Sequence, residues 1–126
     1  MRYLLDTHIL LWSLSDVERL SPKVRDIIIG PRHEVFVSVV SAWEIAIKKG
    51  LGRLSAPDGM EAEVRRCGFS TLLVTFGHTE MLATLPHHHR DPFDRMLIAQ
   101  ARSDRLILVT ADPMFAVYDV DLLFMD

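Results

Sequence analysis

The chain has a single cysteine, Cys67, so no disulfide can close within it, and a reducing compartment is the expected setting. Two arginines precede it in "VRRCGF", but a lone cysteine near a helix end reads as structural. There is no excess of positive charge. Lys and Arg number 14 against 17 Asp and Glu, a net charge of -3. Attraction to nucleic acid would therefore have to come from a local patch or from bound cations. No apolar run approaches the ~20 residues that span a bilayer. The start, "MRYLLDTHILLWSL", is too interrupted by Asp6 and His8 to read as a signal peptide. No Gly/Ser-rich linker, repeat or low-complexity segment divides the chain. A soluble cytoplasmic protein with one domain over residues 1–126 is expected.

What is present suits a packed core. Hydrophobic residues make up 49% and charged residues 25% of 126 positions, enough for a chain of this size to bury roughly two-thirds of its unfolded surface. Short apolar runs ("RYLL", "EVFVSVV", "TLLV", "RLILVT", "VDLLFM") read as strands. Amphipathic stretches separate them. "SPKVRDIIIG" opens on Ser21 and Pro22 and closes on Gly30. "SAWEIAIKKG" sets Ser41 and Glu44 at capping-box spacing, and "DGMEAEVRRCG" reads as another capped helix. "GHTEMLATL" also looks helical. "DPFDRMLIAQARSD" opens on Asp91 and Pro92, and "DPMFAVY" reads as a helical turn. Strands alternating with helices imply right-handed crossovers and a parallel sheet covered on both faces, with sites at the carboxyl ends of the strands.

Four carboxylates fall at that rim. Asp6 follows the first strand, Glu44 and Asp94 sit near helix starts, and Asp112 follows "LVT" after one alanine. Each alone could be a helix cap worth ~1 kcal/mol. Together in one pocket, their mutual repulsion would exceed what capping returns and would call for a divalent cation. Oxygen ligands without cysteine favour Mg2+ or Mn2+ over zinc, a combination suited to phosphodiester hydrolysis. His87, His88 and His89 are adjacent, cannot all face one way, and match no zinc spacing. A solvated loop is their default reading, with contact to a phosphate or proton transfer near the acids as the lesser one. Arg90 and Arg95 either neutralise the acids or contact backbone phosphates.

The segments "LLDTH", "SAWEIAIK", "DPFDRMLIAQA" and "LVTADPMF" resemble, in order and over almost the whole chain, the PIN-domain family. More narrowly, they resemble the VapC-type ribonuclease toxins of toxin–antitoxin modules. The resemblance implies a three-layer α/β/α sandwich with a mainly parallel sheet of about five strands. It implies an Mg2+- or Mn2+-dependent endoribonuclease acting on RNA, a homodimer, and an antitoxin whose C-terminal segment covers the active-site groove. By position it makes Asp6, Glu44, Asp94 and Asp112 the catalytic and metal-binding acids, Asp112 acting through a water. Asp91 is then the helix cap. Thr7 and Thr110 fall where small hydroxyls support such a site, and with Arg90 and Arg95 they are candidate substrate contacts. Alternatives are a catalytically inert PIN-like module binding RNA or protein, and a phosphatase or phospho-receiver. "DTH" in place of D-x-D, and Ser41 where an acceptor Asp is wanted, disfavour the last two.

Overall fold

The computed structural model describes residues 1–125. Strands β1 (Arg2–Leu5), β2 (Glu34–Ser38), β3 (Ser70–Leu72), β4 (Ile107–Thr110) and β5 (Leu122–Phe124) form one sheet in the order β3-β2-β1-β4-β5. Every pairing is parallel, with Leu4 opposite Phe36 on one side and Leu108 on the other. Helices α1 (Thr7–Ser15), α2 (Pro22–Ile29), α3 (Val39–Gly50), α4 (Met60–Arg66), α5 (Phe76–Thr84) and α6 (Pro92–Asp104) connect the strands.

Strand alternation divides the apolar residues into two cores. Tyr3, Leu5, Val35, Val37 and Val109 pack on one face against Ile9, Leu10, Val24, Ile27 and Val64 of α1, α2 and α4. Leu4 and Leu108 pack on the other against Leu97, Ile98 and Ala101 of α6 and Leu85 behind α5. Helix α3 supplies Ile45 to the first core and Val40 to the second. Both sheet faces are thus covered, which is why the strands read as near-continuous apolar runs. The result is the expected α/β/α sandwich. No helix among the described residues is long and apolar enough to cross a membrane.

Two helix starts differ from expectation. Helix α3 begins at Val39, directly after β2, because the Ser38 hydroxyl accepts the Val40 N–H at 3.0 Å. Ser41 is therefore inside the helix and caps nothing, and Glu44 lies beyond the first turn. Helix α4 starts behind Gly59, whose φ of 67° only glycine adopts without strain, and no side chain caps it. Asp58 instead binds Lys49 at 2.5 Å. The other starts are as read: Ser21 caps α2, and the Asp91 carboxylate accepts the Phe93 and Asp94 amides at 2.9 and 3.1 Å.

From β1 the chain builds outward to β2 and β3, then returns to add β4 and β5 on the other side of β1. The reversal leaves a switch point between the carboxyl ends of β1 and β4, where open α/β sheets place their ligands.

Candidate active site

Asp6 leaves β1 at this switch point, its amide donating to the Val109 carbonyl of β4 at 3.0 Å. Its carboxylate is 5% exposed. One oxygen accepts the Ile9 amide at 2.9 Å, capping α1, and the other accepts the Thr110 hydroxyl at 2.5 Å. Burial pushes its proton affinity above the usual carboxylate range, and the bonds to Thr110 and Ile9 pull against that push. Thr110, the last residue of β4, also accepts the Asp112 amide at 3.0 Å. One hydroxyl therefore ties two acids together. Asp112 directs one carboxylate oxygen to the Met114 amide at 2.9 Å.

Glu44 reaches the same rim from α3. It is 3% exposed, with Oε1 accepting the Thr7 hydroxyl at 2.7 Å and Oε2 paired to Lys48 at 2.6 Å. Thr7 also lies 3.0 Å from the Ser41 hydroxyl, so the first residue of α1 is pinned to α3. Asp94, in the first turn of α6, carries no hydrogen bond of ordinary length on its carboxylate among the described residues. The nearest partner for an ion pair is His89 Nε2, at 3.6 Å. Its acidity shows what surrounds it. Burial, then the charges of Asp91, Glu44, Asp6 and Asp112, raise its pKa to about 7. All four acids singled out in the sequence share one electrostatic site, with Asp91 as a fifth charge beside them.

A family model for the PIN domain matches residues 3–121. The chain belongs to the PIN-domain family. A stretch of 61 residues, 45% of the chain, is 41% identical to ribonuclease VapC16 of Mycobacterium tuberculosis, and the chain spans 43% of that relative's length. Among solved structures, the complex VapBC2 of Rickettsia felis bound to a promoter DNA fragment contains a similar fold. The match has a TM-score of 0.73 at 14% identity and covers all of both chains. VapBC-5 of M. tuberculosis matches with a TM-score of 0.59 at 23% identity over 98% of each chain. At these identities the structural likeness concerns the fold.

The donor chemistry of this PIN domain fits a hard divalent cation. All the acids offer oxygen, and the Asp94 carboxylate and the second Asp112 oxygen are free of hydrogen bonds among the described residues. No three His, Cys, Asp or Glu side chains among those residues stand close enough to enclose an ion alone. Magnesium, which keeps several waters when bound by one or two carboxylates, suits such a spread arrangement.

The candidate substrate contacts divide. Thr7 and Thr110 are buried and spend their hydroxyls on Glu44 and Asp6, so they orient acids rather than reach outward. Arg95 is 7% exposed and donates to the Leu85 and Pro86 carbonyls and the Tyr118 hydroxyl. It ties the α5–α6 loop to the end of the 3-10 turn Pro113–Val117, with its guanidinium committed to those acceptors. Arg90 is exposed and lines an open cavity with His87 and His89, beside the start of α6. Missed in the sequence was the partnership of His89 with Tyr118 and Asp94. Asp94 is near in the chain, but Tyr118, 29 residues on, is brought to the ring only by the fold.

Proposed function

We propose that this PIN domain is a divalent-cation-dependent endoribonuclease that hydrolyses RNA phosphodiester bonds in the cytoplasm as the toxin of a toxin–antitoxin pair. The observation that carries the reading is Asp94: a carboxylate with no hydrogen bond among the described residues, its pKa raised to about 7 by burial and four neighbouring acids. A purely structural rim would not concentrate that much like charge, whereas a site built to accept a cation would. Similarity to ribonuclease VapC16 and to VapBC complexes supports the same reading.

Asp6, Asp94 and Asp112 would hold the ion, with Glu44 adding charge from α3. A bound Mg2+ or Mn2+ supplies Lewis-acid stabilisation of charge on phosphate oxygens and makes water a stronger nucleophile at neutral pH. The chain's own part is orientation. Thr110 fixes Asp6 and the Asp112 backbone, while Thr7 fixes Glu44 and Lys48 neutralises part of its charge. Both Glu44 oxygens are engaged, by Thr7 and Lys48, while Asp94 and Asp112 present open oxygens among the described residues. Arg90, exposed beside α6, would meet an RNA phosphate.

The likeness to VapBC complexes supports an antitoxin as partner. In the apolar stretch "ILLWSL", Ile9, Leu10 and Leu11 are core residues. In "AWEIAI", Trp43 is 60% and Ile47 41% exposed, giving an antitoxin or a second copy apolar surface to cover.

Asp94→Asn tests the reading. With Mg2+ or Mn2+ present, RNA cleavage should fall about a thousandfold, the loss of roughly 4 kcal/mol of transition-state stabilisation, while the far-UV spectrum stays unchanged. Undiminished cleavage by this variant, or by the wild type in EDTA, would sink the proposal. Absence of both cleavage and Mn2+ binding in the wild type would favour the inert RNA- or protein-binding module. Sedimentation of the same preparations reports the homodimer, and a monomer at tens of micromolar would remove it.

A further inference from the structure

Of the three adjacent histidines, the fold withdraws one from solvent. His87 and His88 are exposed. His89 has a side chain 14% exposed, and its buried Nε2, without a hydrogen-bond partner among the described residues, lies 3.6 Å from Asp94 Oδ2. Whether this nitrogen attracts or repels the carboxylate depends on whether it carries the ring proton.

The other side of the ring decides. The Tyr118 hydroxyl oxygen lies 3.2 Å from Arg95 Nη1, 3.2 Å from the His89 backbone nitrogen and 2.9 Å from His89 Nδ1. A guanidinium and a backbone amide can only donate. Together they use both lone pairs of the phenol oxygen, leaving its one hydrogen to be received by Nδ1. With Nδ1 as acceptor, the ring proton sits on Nε2 and points toward Asp94. The assignment follows from the hydrogen-bond network rather than from visible hydrogens. It is anchored in the backbone, because Arg95 also donates to the Leu85 and Pro86 carbonyls at 3.3 and 2.7 Å.

We propose that His89, held as the Nε2–H tautomer by Tyr118 and Arg95, is a positioning residue that orients the Asp94 carboxylate in the acidic site. The proposal rests on reading that site as a ribonuclease centre. At 3.6 Å the contact is longer than a hydrogen bond, and an approach of about 0.6 Å makes it one. Such outer donors aim carboxylate ligands, and their removal typically costs about 10–100-fold in metal affinity or activity.

Four variants of the full chain test it: His89→Ala, His89→Asn, His89→Gln and Tyr118→Phe. Gln places an amide N–H about where Nε2–H stood, while Asn reaches only as far as Nδ1. Mn2+ affinity is read by calorimetry, and kcat and KM with an RNA probe. His89→Ala and His89→Asn should weaken Mn2+ binding and lower kcat about 10–100-fold with KM little changed. His89→Gln should recover most of both, and Tyr118→Phe should lose less than His89→Ala. Independently of activity, the long-range 1H–15N spectrum of the wild type should show His89 with Nδ1 bare and Nε2 protonated. A proton on Nδ1, wild-type behaviour of His89→Ala, or equal losses in the Gln and Ala variants each overturns the proposal. Asp94→Asn is the control. If it is inactive while His89→Ala is normal, only the positioning role fails; if it is fully active, the ribonuclease reading fails.

Discussion

Thr110 shows how a single side chain serves the acidic site. Its hydroxyl has one hydrogen, given to Asp6, and lone pairs, one of which receives the Asp112 amide. Both bonds are buried or half-buried, so neither is freely replaced by water. Thr110→Val keeps the shape but leaves Asp6 buried with one fewer donor and the Asp112 amide without its acceptor. An unsatisfied buried group costs about 1–3 kcal/mol, and chemical denaturation should show a loss in that range. Cleavage should also fall, because Asp6 and Asp112 lose their common fixing point. Thr110→Ser, which keeps the hydroxyl, should lie much closer to wild type in both measurements. Stability of the Val variant equal to wild type would mean that the bond does not support Asp6. The hint was legible in "LLDT" and "LVTAD", where a hydroxyl residue stands beside each acid. What the letters do not show is that Thr7 serves Glu44 of α3 and Thr110 serves Asp6 of β1, crossed pairings that exist only once the sheet has formed.

Elements differ in how plainly the sequence announces them. Helix α6 was legible throughout: Asp91 caps it, Pro92 opens it, and Leu97, Ile98 and Ala101 recur at the spacing of one buried face. Helix α3 was legible in kind but not at its start. The β-branched run of "EVFVSVV" continues past the end of β2, and only the Ser38 cap marks the change from strand to helix. The Ser41–Glu44 spacing imitates a capping box, while tertiary contacts assign Ser41 to Thr7 and Glu44 to Thr7 and Lys48. Arg95 was expected to neutralise the acids or contact phosphates; that its buried guanidinium donates to the Leu85 and Pro86 carbonyls of the preceding loop is visible only in the fold. At the start of α6, Asp91 has two opposed effects. Its cap supports the helix, and after burial its charge is the foremost cause of the raised proton affinity of Asp94. Asp91→Ser should keep a capping oxygen and remove the charge. In EDTA at pH 8 it should therefore be more stable than Asp91→Ala by about 1 kcal/mol, the usual worth of the cap, and no less stable than wild type. A Ser variant as unstable as the Ala variant would remove Asp91's capping role.

At the scale of the whole molecule, a chain of net charge -3 gathers its buried acids at one end of one sheet, and pH and divalent ions should act on that end together. The folded Asp94 carboxyl binds its proton up to about pH 7, against 3.8 for the free group. A group whose affinity is raised by folding contributes stability fully below its unfolded value and loses it as pH rises through the folded one. The ion-free protein should therefore become less stable between about pH 4 and pH 7 on this account, and Asp6, shifted in the same direction, reinforces the trend. Asp58, lowered by Lys49, has the opposite sign, and its contribution is lost only toward the acid end. Above pH 7 Asp94 is ionised beside the neighbouring carboxylates, and this is the state the proposed cation would bind. A ligand at a hundred times its dissociation constant stabilises the fold by about 2.7 kcal/mol. Thermal unfolding in EDTA should thus give a higher Tm at pH 5.5 than at pH 8. Mn2+ should raise Tm strongly at pH 8 and weakly at pH 5.5, where protons compete for Asp94. Equal Mn2+ shifts at the two pH values would dissociate the ion from the titrating cluster and place it elsewhere on the molecule. Asp94→Asn provides the matching internal check: in EDTA at pH 8 it should unfold at a higher temperature than wild type, because the same substitution that stops cleavage removes an uncompensated charge.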